Sequence, residues 1–176
     1  MGLKGGPTQD EVMAVSLAKL GIRPGDRVAD VGCGTGKVAI AASRLAERVY
    51  AIDRRAEAIT YARQEAAAAG VLNIEFFEGD ALDVLADIGP LDAAFVGGSR
   101  RLPEVLDLLA GKVRGRIVVN AVMIETLQSA VATMQHLGIF VEAVHLQVAR
   151  SAGIAGGVMF RPINPVYIIV GGAGCS

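Results

Sequence analysis

The sequence lacks the features that mark membrane-spanning and secreted proteins. Apolar residues make up 52% of its 176 positions and the mean hydropathy is +0.46, but no uninterrupted apolar run approaches the ~18–20 residues that a bilayer span requires. The N-terminus is glycine-rich and polar, without the apolar stretch of a secretory signal. The two cysteines, Cys33 and Cys175, lie far apart and provide no disulfide framework. We therefore expect a protein of a reducing compartment, the cytoplasm, with no membrane partner.

The sequence also lacks the marks of a nucleic-acid-binding or metal-binding protein. It contains no tryptophan, its net charge is −1 and its isoelectric point is near 6.1, whereas nucleic-acid-binding domains usually carry a strongly basic surface. Its two histidines and two cysteines show no metal-ligand spacing. We therefore expect neither a metal nor a nucleic-acid partner. Cys33 lies in a glycine-rich turn where a small residue fits, so we do not expect it to be a catalytic thiol.

The most informative stretch is residues 27–36, R-V-A-D-V-G-C-G-T-G. A short apolar strand runs directly into Gly32, Gly34 and Gly36, and a helical pattern follows. Glycines at these positions let the backbone turn sharply and approach a ligand with its N–H groups. Asp30, near the end of the strand, points to the same crevice, where open α/β sheets bind nucleotide-like ligands.

The spacing of these glycines decides between nucleotide motifs. A dinucleotide fingerprint needs its third glycine one position later, where Lys37 stands, and a P-loop needs Ser or Thr where Val38 stands. The remaining pattern, D-x-G-x-G-x-G, resembles the first motif of class I S-adenosylmethionine-dependent methyltransferases.

Two further landmarks, each at the end of a predicted strand, support this interpretation. Residues 49–52 end in Asp53, 17 positions after Gly36 (53 − 36), where a carboxylate can hold the two hydroxyls of a ribose. Residues 74–78 are followed by Gly79, Asp80 and Ala81, the place where this class of enzyme contacts adenine.

The order of predicted elements indicates an α/β fold. Thr8 and Glu11 predict a capping box at the start of a first helix that ends at Gly21. Five strand–helix steps follow, and then two strands, 139–149 and 165–170, separated by a glycine-rich loop at 151–157. This order predicts a Rossmann-like, doubly wound, seven-stranded class I methyltransferase sheet whose last strand is antiparallel. We expect one domain over residues 1–176, with residues 1–23 as an N-terminal cap segment and helix.

The end of the fourth strand narrows the methyl acceptor. Residues 96–99, V-G-G-S, contain neither the prolines nor the aromatic residue that amine methyltransferases of nucleic acids and proteins often carry there, nor the acid pair of catechol O-methyltransferases. Together with other segments, they resemble the cobalt-precorrin-6B C15-methyltransferase (decarboxylating) family of cobalamin biosynthesis. The segments are 6–8, 10–12, 30–36, 49–54, 78–81, 96–99, 148–150 and 164–166. The chain departs from the family at Arg100 and Arg101, where small residues are common.

The resemblance implies a reaction and a site. The reaction is methyl transfer from S-adenosylmethionine to a meso carbon of a reduced tetrapyrrole, with loss of carbon dioxide from an acetate side chain. The resemblance also implies a homotetramer. A separate enzyme that methylates carbon 5 is a possible partner. The cofactor residues are expected to be Thr8, Asp30, Gly32, Cys33, Gly34, Thr35, Gly36, Asp53, Asp80 and Ala81. The position of the fourth-strand end and of the arginines at the carboxyl edge of the sheet, rather than the resemblance, predicts the substrate residues, which are Gly97, Gly98, Ser99, Arg100, Arg101, Arg150 and Arg161.

The chemistry agrees with the residue types present. The acceptor is an electron-rich carbon that needs no strong base, so no catalytic residue is assigned. The substrate carries many carboxylates, which guanidinium groups bind with two hydrogen bonds, and topology places the four arginines at the carboxyl edge of the sheet. His145, in the middle of an apolar strand, is expected to be a core residue, and His136 to suit the end of a helix.

Two other functions are compatible with a glycine motif of this kind. A tRNA methyltransferase of related fold would bind its substrate in a salt-dependent manner, and a non-catalytic S-adenosylmethionine-binding subunit would need none of the arginines. The sequence leaves open whether the ring already holds cobalt and which group drives decarboxylation.

Overall fold

The structure, a computed structural model, describes residues 8–98 and 100–172. The strands in this part of the chain are β1 (Arg27–Val31), β2 (Arg48–Asp53), β3 (Ile74–Glu78), β4 (Leu91–Val96), β5 (Val113–Ala121), β6 (Phe140–Leu146), β7 (Ala149–Ile154), β8 (Gly157–Pro162) and β9 (Val166–Gly172). The helices are α1 (Asp10–Leu20), α2 (Lys37–Ser43), α3 (Ala56–Ala68), α4 (Ala81–Asp87), α5 (Leu102–Lys112) and α6 (Ile124–His136). None of these helices is long and apolar enough to cross a membrane.

Seven strands form one sheet in the order β3-β2-β1-β4-β5-β9-β6. Strands β1 to β5 are parallel, whereas β9 is antiparallel to both β5 and β6. The predicted α/β class, the seven-stranded sheet and its antiparallel last strand are therefore confirmed. The strand order reverses between β1 and β4, which opens a crevice at the carboxyl ends of these two strands.

Apolar side chains cover both faces of the sheet because its central strands lie between two layers of helices. One cluster, which includes Val38 and Ile59, packs α1, α2 and α3 on one face. The other, which includes Leu106 and Met134, packs α4, α5 and α6 on the opposite face. This three-layer arrangement fixes the carboxyl ends of β1, β2 and β4 relative to one another.

Residues 149–162 form an additional hairpin where the sequence predicted a loop at 151–157. Strands β7 and β8 pair antiparallel, and Ile154 faces Gly157 across the turn. The two turn residues, Ala155 and Gly156, have φ of 44° and 80°, and positive φ at both central positions is what a tight type I′ hairpin turn needs. The glycines that suggested an open loop therefore serve a hairpin.

Two smaller predictions about side chains were wrong. The N-cap residue of α1 is Gln9, with no side-chain capping bond, so Thr8 and Glu11 do not form a capping box. His145 is exposed, because β6 is an edge strand with alternating exposed and half-buried positions. Its ring stacks on Tyr167 with 4.7 Å between the ring centroids. The sequence of β6 did not indicate that only one of its faces is buried, because apolar residues occupy positions on both faces.

Candidate active site at the carboxyl edge of the sheet

Two adjacent cavities open at the carboxyl ends of β1, β2 and β4. The larger, of about 620 Å³, lies between the glycine turn after β1, the start of α1 and the end of β5. The smaller, of about 320 Å³, lies between the ends of β2, β3 and β4. Gly32, Arg55 and Gly97 line both. The two cavities are therefore neighbouring halves of one cleft at the point where the strand order reverses.

The glycine turn is built by backbone geometry that other residues adopt at a cost. Gly32, Gly34 and Gly36 have φ of 76°, 54° and 76°. A Cβ on Gly36 would lie 2.8 Å from the Cβ of Ala62 on α3, and a Cβ on Gly32 would lie 3.0 Å from the backbone nitrogen of Gly98. The turn therefore packs closely against α3 on one side and against the segment that follows β4 on the other. This packing holds the turn at the cleft.

Asp53, the last residue of β2, is held by four donors. Its Oδ2 accepts from the Gly34 backbone N–H at 3.0 Å and from Arg55 Nη2 at 2.9 Å. Its Oδ1 accepts from the backbone N–H and from Nε of Arg55, both at 3.0 Å. Burial by itself would raise the pKa of Asp53, but the hydrogen bonds from Arg55 and Gly34 outweigh it and lower the pKa. An ionised carboxylate therefore faces the cleft.

Asp30 is a buried carboxyl group without a hydrogen-bond partner. Its residue is 1% exposed, it lines the larger cavity, and neither carboxylate oxygen is hydrogen-bonded. Burial raises its pKa to about 7; the Ala39 backbone N–H, which is near the carboxylate but outside hydrogen-bond geometry, lowers the pKa in part, and the charge of Asp53 raises it further. A buried acceptor of this kind is costly to the fold unless a ligand pairs with it, and a cationic group is the partner that best suits it.

We expect the stability of the ligand-free protein to depend on Asp30 as the pH rises. The folded-state pKa of about 7 lies above the unfolded value of about 4. Between these values the folded protein holds a proton that the unfolded chain releases, so stability falls with rising pH, by up to about 4 kcal/mol at pH 8. Asp30→Asn removes this fall. Urea unfolding from pH 5 to pH 8 measures the part of this fall that lies in that range, about 3 kcal/mol.

Comparing how the free energy of unfolding depends on pH in different variants distinguishes the contribution of Asp30 from that of other titratable groups. An exposed acid, Asp107 on α5, provides the control through Asp107→Asn, which we expect to leave the profile of the native protein unchanged. Parallel profiles for the native protein and Asp30→Asn would show that the Asp30 carboxyl titrates normally.

The remaining predicted cofactor residues, except Gly36, also lie at the two cavities. Asp80 and Ala81 line the smaller cavity, and the Asp80 carboxylate caps α4 by accepting from the Leu82 backbone N–H at 3.0 Å. Burial raises the pKa of the Cys33 thiol well above its usual range, which disfavours the reactive thiolate form. The larger cavity is lined by six further members of the set: Thr8, Asp30, Gly32, Cys33, Gly34 and Thr35. Gly36 lines neither cavity and is the N-cap residue of α2.

The predicted substrate residues are only partly brought together. Gly97 lines both cavities, and Gly98 and Arg100 line the smaller one, while Ser99 lies outside the described residues. Arg101 has φ of 49° and pairs with Glu104 at 3.3 Å. The arginines of the hairpin, Arg150 and Arg161, line neither cavity.

Arg150 forms a bidentate ion pair with Glu11 of α1. Its Nε lies 2.9 Å from Glu11 Oε1 and its Nη2 lies 2.5 Å from Oε2. The hydrogen bond from Arg150 lowers the pKa of Glu11 to about 2. Arg161, opposite Arg150 in the hairpin register, is exposed. The ion pair therefore fastens the hairpin to α1 beside the larger cavity.

Several residues of the larger cavity were missed by sequence reasoning. Lys37 donates from Nζ to the Thr8 backbone carbonyl at 2.8 Å and pairs with Asp10 at 2.7 Å, which holds the start of α1 over the glycine turn. Asn120 and Val122 line the cavity from the end of β5. The sequence offered two signals for these residues: Lys37 directly follows the third glycine, and Asn120 lies at a strand end.

Comparisons with known proteins agree with this geometry. A family model described as the precorrin methyltransferase domain matches residues 4–171. A protein of Methanosarcina acetivorans, described as a probable cobalt-precorrin-6B C(15)-methyltransferase (decarboxylating), is 48% identical over 176 residues, with 97% of this chain and 96% of that protein covered. These matches extend over almost the whole chain.

Solved structures are similar over the same length. The crystal structure of precorrin 8W decarboxylase from Methanobacterium thermoautotrophicum has a TM-score of 0.92 at 37% identity, covering 96% of this chain and 92% of that one. That of precorrin-6y C5,15-methyltransferase from Geobacter metallireducens has a TM-score of 0.92 at 32% identity, with 98% and 94% covered. The resemblance inferred from the sequence motifs is thus confirmed, and the chain belongs to the precorrin methyltransferase family.

Proposed function

We propose that this protein is an S-adenosylmethionine-dependent C-methyltransferase. It acts on carbon 15, a meso carbon of cobalt-precorrin-6B, and decarboxylates an acetate side chain, in cobalamin biosynthesis. The observation that carries the proposal is the cleft of two adjoining cavities between the glycine turn and the end of β4, with an unpartnered buried carboxyl, Asp30, in its larger half. The family membership and the activity named for the relatives support it.

The residues of the cleft fit the cofactor in size and polarity. Asp30 would pair with the ammonium of the methionine part, because an unpartnered buried carboxyl group suits a cation. Asp53 would accept hydrogen bonds from the ribose hydroxyls, and Asp80 with Ala81 would border the adenine in the smaller cavity. When bound, S-adenosylmethionine supplies an electrophilic methyl group. Gly32 and Gly97 border both halves of the cleft, so one ligand would contact both halves beside their backbones.

The larger cavity provides positioning rather than acid–base chemistry. Phe95, Val122 and Val166 give it apolar walls, and Asn120 contributes an amide. An enamine-like carbon is itself a nucleophile, so the walls need only hold it in line with the methyl donor and exclude water. Such a site does not require a strong general base.

The arginines supply the complementary charge for a substrate with many carboxylates. Arg100 lines the cleft, whereas Arg101, Arg150 and Arg161 stand outside it. In our proposal Arg150 exchanges the Glu11 carboxylate for a substrate carboxylate of the same chemistry, since both offer two oxygens to one guanidinium. This exchange would draw the hairpin towards the bound ring.

We further propose that residues 1–176 act as one domain and that the protein assembles as a cytoplasmic homotetramer. Exposed apolar side chains on the hairpin, such as Val158 (75% exposed) and Phe160 (70% exposed), support association, because contiguous exposed apolar surface commonly marks an interface. A separate protein would then carry out methylation at carbon 5.

Mass spectrometry of the product tests the proposed reaction. Incubation with cobalt-precorrin-6B and S-adenosylmethionine is expected to yield a tetrapyrrole heavier by one methyl group and lighter by carbon dioxide, with S-adenosylhomocysteine formed in equal amount. Omission of S-adenosylmethionine is the control, and bulk tRNA replaces the tetrapyrrole as a second acceptor that should not be methylated. An unchanged tetrapyrrole mass contradicts the proposal, and if S-adenosylhomocysteine still binds, the result indicates a non-catalytic subunit.

A further inference from the structure

We infer that Lys37 is a positioning residue for the cofactor, which holds Thr8 and Gln9 in place as one wall of the larger cavity. This role rests on the proposed function and adds to it how the cofactor is retained. Lys37 is the first residue of α2, directly after the glycine turn, and it lines the larger cavity together with Thr8 and Gln9. It therefore connects the segment before α1 to the glycine turn across the site proposed for the cofactor.

The Lys37 ammonium makes two contacts with the start of α1. Its Nζ donates to the Thr8 backbone carbonyl at 2.8 Å and lies 2.7 Å from Asp10 Oδ1. The Asp10 side chain is largely exposed, and an exposed ion pair contributes little by itself. The Thr8 carbonyl precedes Gln9, whose own carbonyl accepts from the Met13 backbone N–H within the helix. The charge-assisted hydrogen bond to Thr8 is therefore the contact that fixes the backbone of the cavity wall.

The start of α1 depends on contacts of this kind because the helix does not cap itself. Gln9, the N-cap residue, has an extended backbone, and its side chain makes no capping hydrogen bond within the part of the chain that the structure describes. A helix whose first N–H groups lack a cap is less stable at that end. Lys37 fastens this end to the glycine turn, and the ion pair of Glu11 with Arg150 fastens it to the hairpin.

The glycine turn gives Lys37 a rigid base. Lys37 follows Gly36, where an added Cβ would lie 2.8 Å from the Cβ of Ala62, so the backbone at this point packs closely against α3. Thr8 and Gln9 are thus held against a fixed element of the fold. Because ordering a backbone segment costs conformational entropy, a wall that is ordered before binding spares the ligand that cost.

Lys37→Met tests this role, because methionine keeps an unbranched side chain of similar length without a donor for the Thr8 carbonyl. We expect the dissociation constant for S-adenosylhomocysteine, measured by calorimetry, to rise about 10-fold, the factor expected when the ligand must order about one backbone residue. Asp10→Asn keeps the hydrogen bond to Thr8 and removes only the exposed ion pair, so we expect a rise of about two- to threefold.

Lys19→Met is the matched control. Lys19 lies on the same helix, pairs with Glu142 at 2.6 Å and has a side chain exposed to a similar extent, 34% against 31% for Lys37. It lines neither cavity of the cleft. Its replacement removes an equivalent ion pair from α1 and should change the dissociation constant for S-adenosylhomocysteine less than about twofold.

Hydrogen exchange distinguishes positioning from direct contact with the ligand. With saturating S-adenosylhomocysteine, we expect the backbone amides of residues 8–13 to exchange faster in Lys37→Met than in the native protein or in Lys19→Met, because the wall is no longer fastened. Unchanged exchange in this segment, together with weaker binding, would overturn the positioning role and make Lys37 a direct contact of the cofactor.

The binding data also distinguish this role from the proposed function. Lys37→Ala removes the same contacts and should act in the same direction, in case Lys37→Met fails to fold. A rise in the dissociation constant no larger in the folded Lys37 variants than in Lys19→Met overturns the role of Lys37 and leaves the proposed function intact. If the native protein does not bind S-adenosylhomocysteine, the proposed cofactor site itself fails, and the role of Lys37 fails with it.

Discussion

Replacement of Asp53 by alanine is expected to weaken binding of S-adenosylhomocysteine about 100-fold. The side chain of Asp53 is 4% exposed and ends β2 at the centre of the cleft, where its two oxygens can accept from both hydroxyls of a ribose. Hydrogen bonds to a charged group contribute about 1.5–3 kcal/mol each, and a loss of about 2.7 kcal/mol corresponds to 100-fold. Calorimetric titration with S-adenosylhomocysteine measures the change.

The loss of affinity must come from the missing Asp53 carboxylate and not from a general change in the fold. Asp107→Ala, at an exposed position of α5, is the matched control and should bind as tightly as the native protein. Asp53→Asn retains one acceptor oxygen and should lie between the native protein and Asp53→Ala. Equal affinity for the native protein and Asp53→Ala would place the ribose elsewhere and remove the central assignment of the cofactor site.

Replacement of Gly36 by alanine is expected to destabilise the fold by about 3 kcal/mol. Its φ of 76° is unfavourable for a residue with a Cβ, at about 1–2 kcal/mol. The added Cβ would also lie 2.8 Å from the Cβ of Ala62 and 3.3 Å from its Cα, and overpacking of this kind costs about 1–3 kcal/mol more. Urea unfolding monitored by circular dichroism measures the sum of the two effects.

Two variants separate the backbone strain from the steric clash. Gly34→Ala introduces a Cβ at φ of 54°, but its nearest neighbour is Arg55 Nη2 at 3.7 Å, so we expect only the backbone cost. The double variant Gly36→Ala with Ala62→Gly removes the closer contact and should recover part of the lost stability. Equal destabilisation by Gly34→Ala and Gly36→Ala would show that the contact between α2 and α3 does not constrain the turn.

Much of the fold was predictable because local signals and long-range packing agree. The apolar strand before Gly32 had to lie inside a parallel sheet, and the strand order of this fold brings Asp53 to the same edge. The hairpin could not be predicted, since Ala155 adopts positive φ only because the pairing of β7 with β8 demands it. Similarly, Glu11 was assigned to a helix cap because its real partner, Arg150, is 139 positions away in the chain (150 − 11).

The cavity residues show the same difference between positions that local sequence predicts and positions that long-range contacts determine. Gly32 and Asp30 belong to one continuous motif, so their neighbourhood follows from the sequence. Asn120 contributes to the site only through the pairing of β5 with β4 and the contact with Ser16 of α1. These contacts join residues more than 20 positions apart, and no local pattern records them.

The position of Arg55 has a consequence for the kinetics of ligand capture. Its guanidinium binds both oxygens of Asp53 and borders both halves of the cleft, so a nucleoside must exchange with this side chain before its sugar reaches the carboxylate. We therefore expect association in two steps, a fast encounter followed by a first-order rearrangement. In stopped-flow traces the observed rate would then level off at high nucleoside concentration instead of increasing linearly.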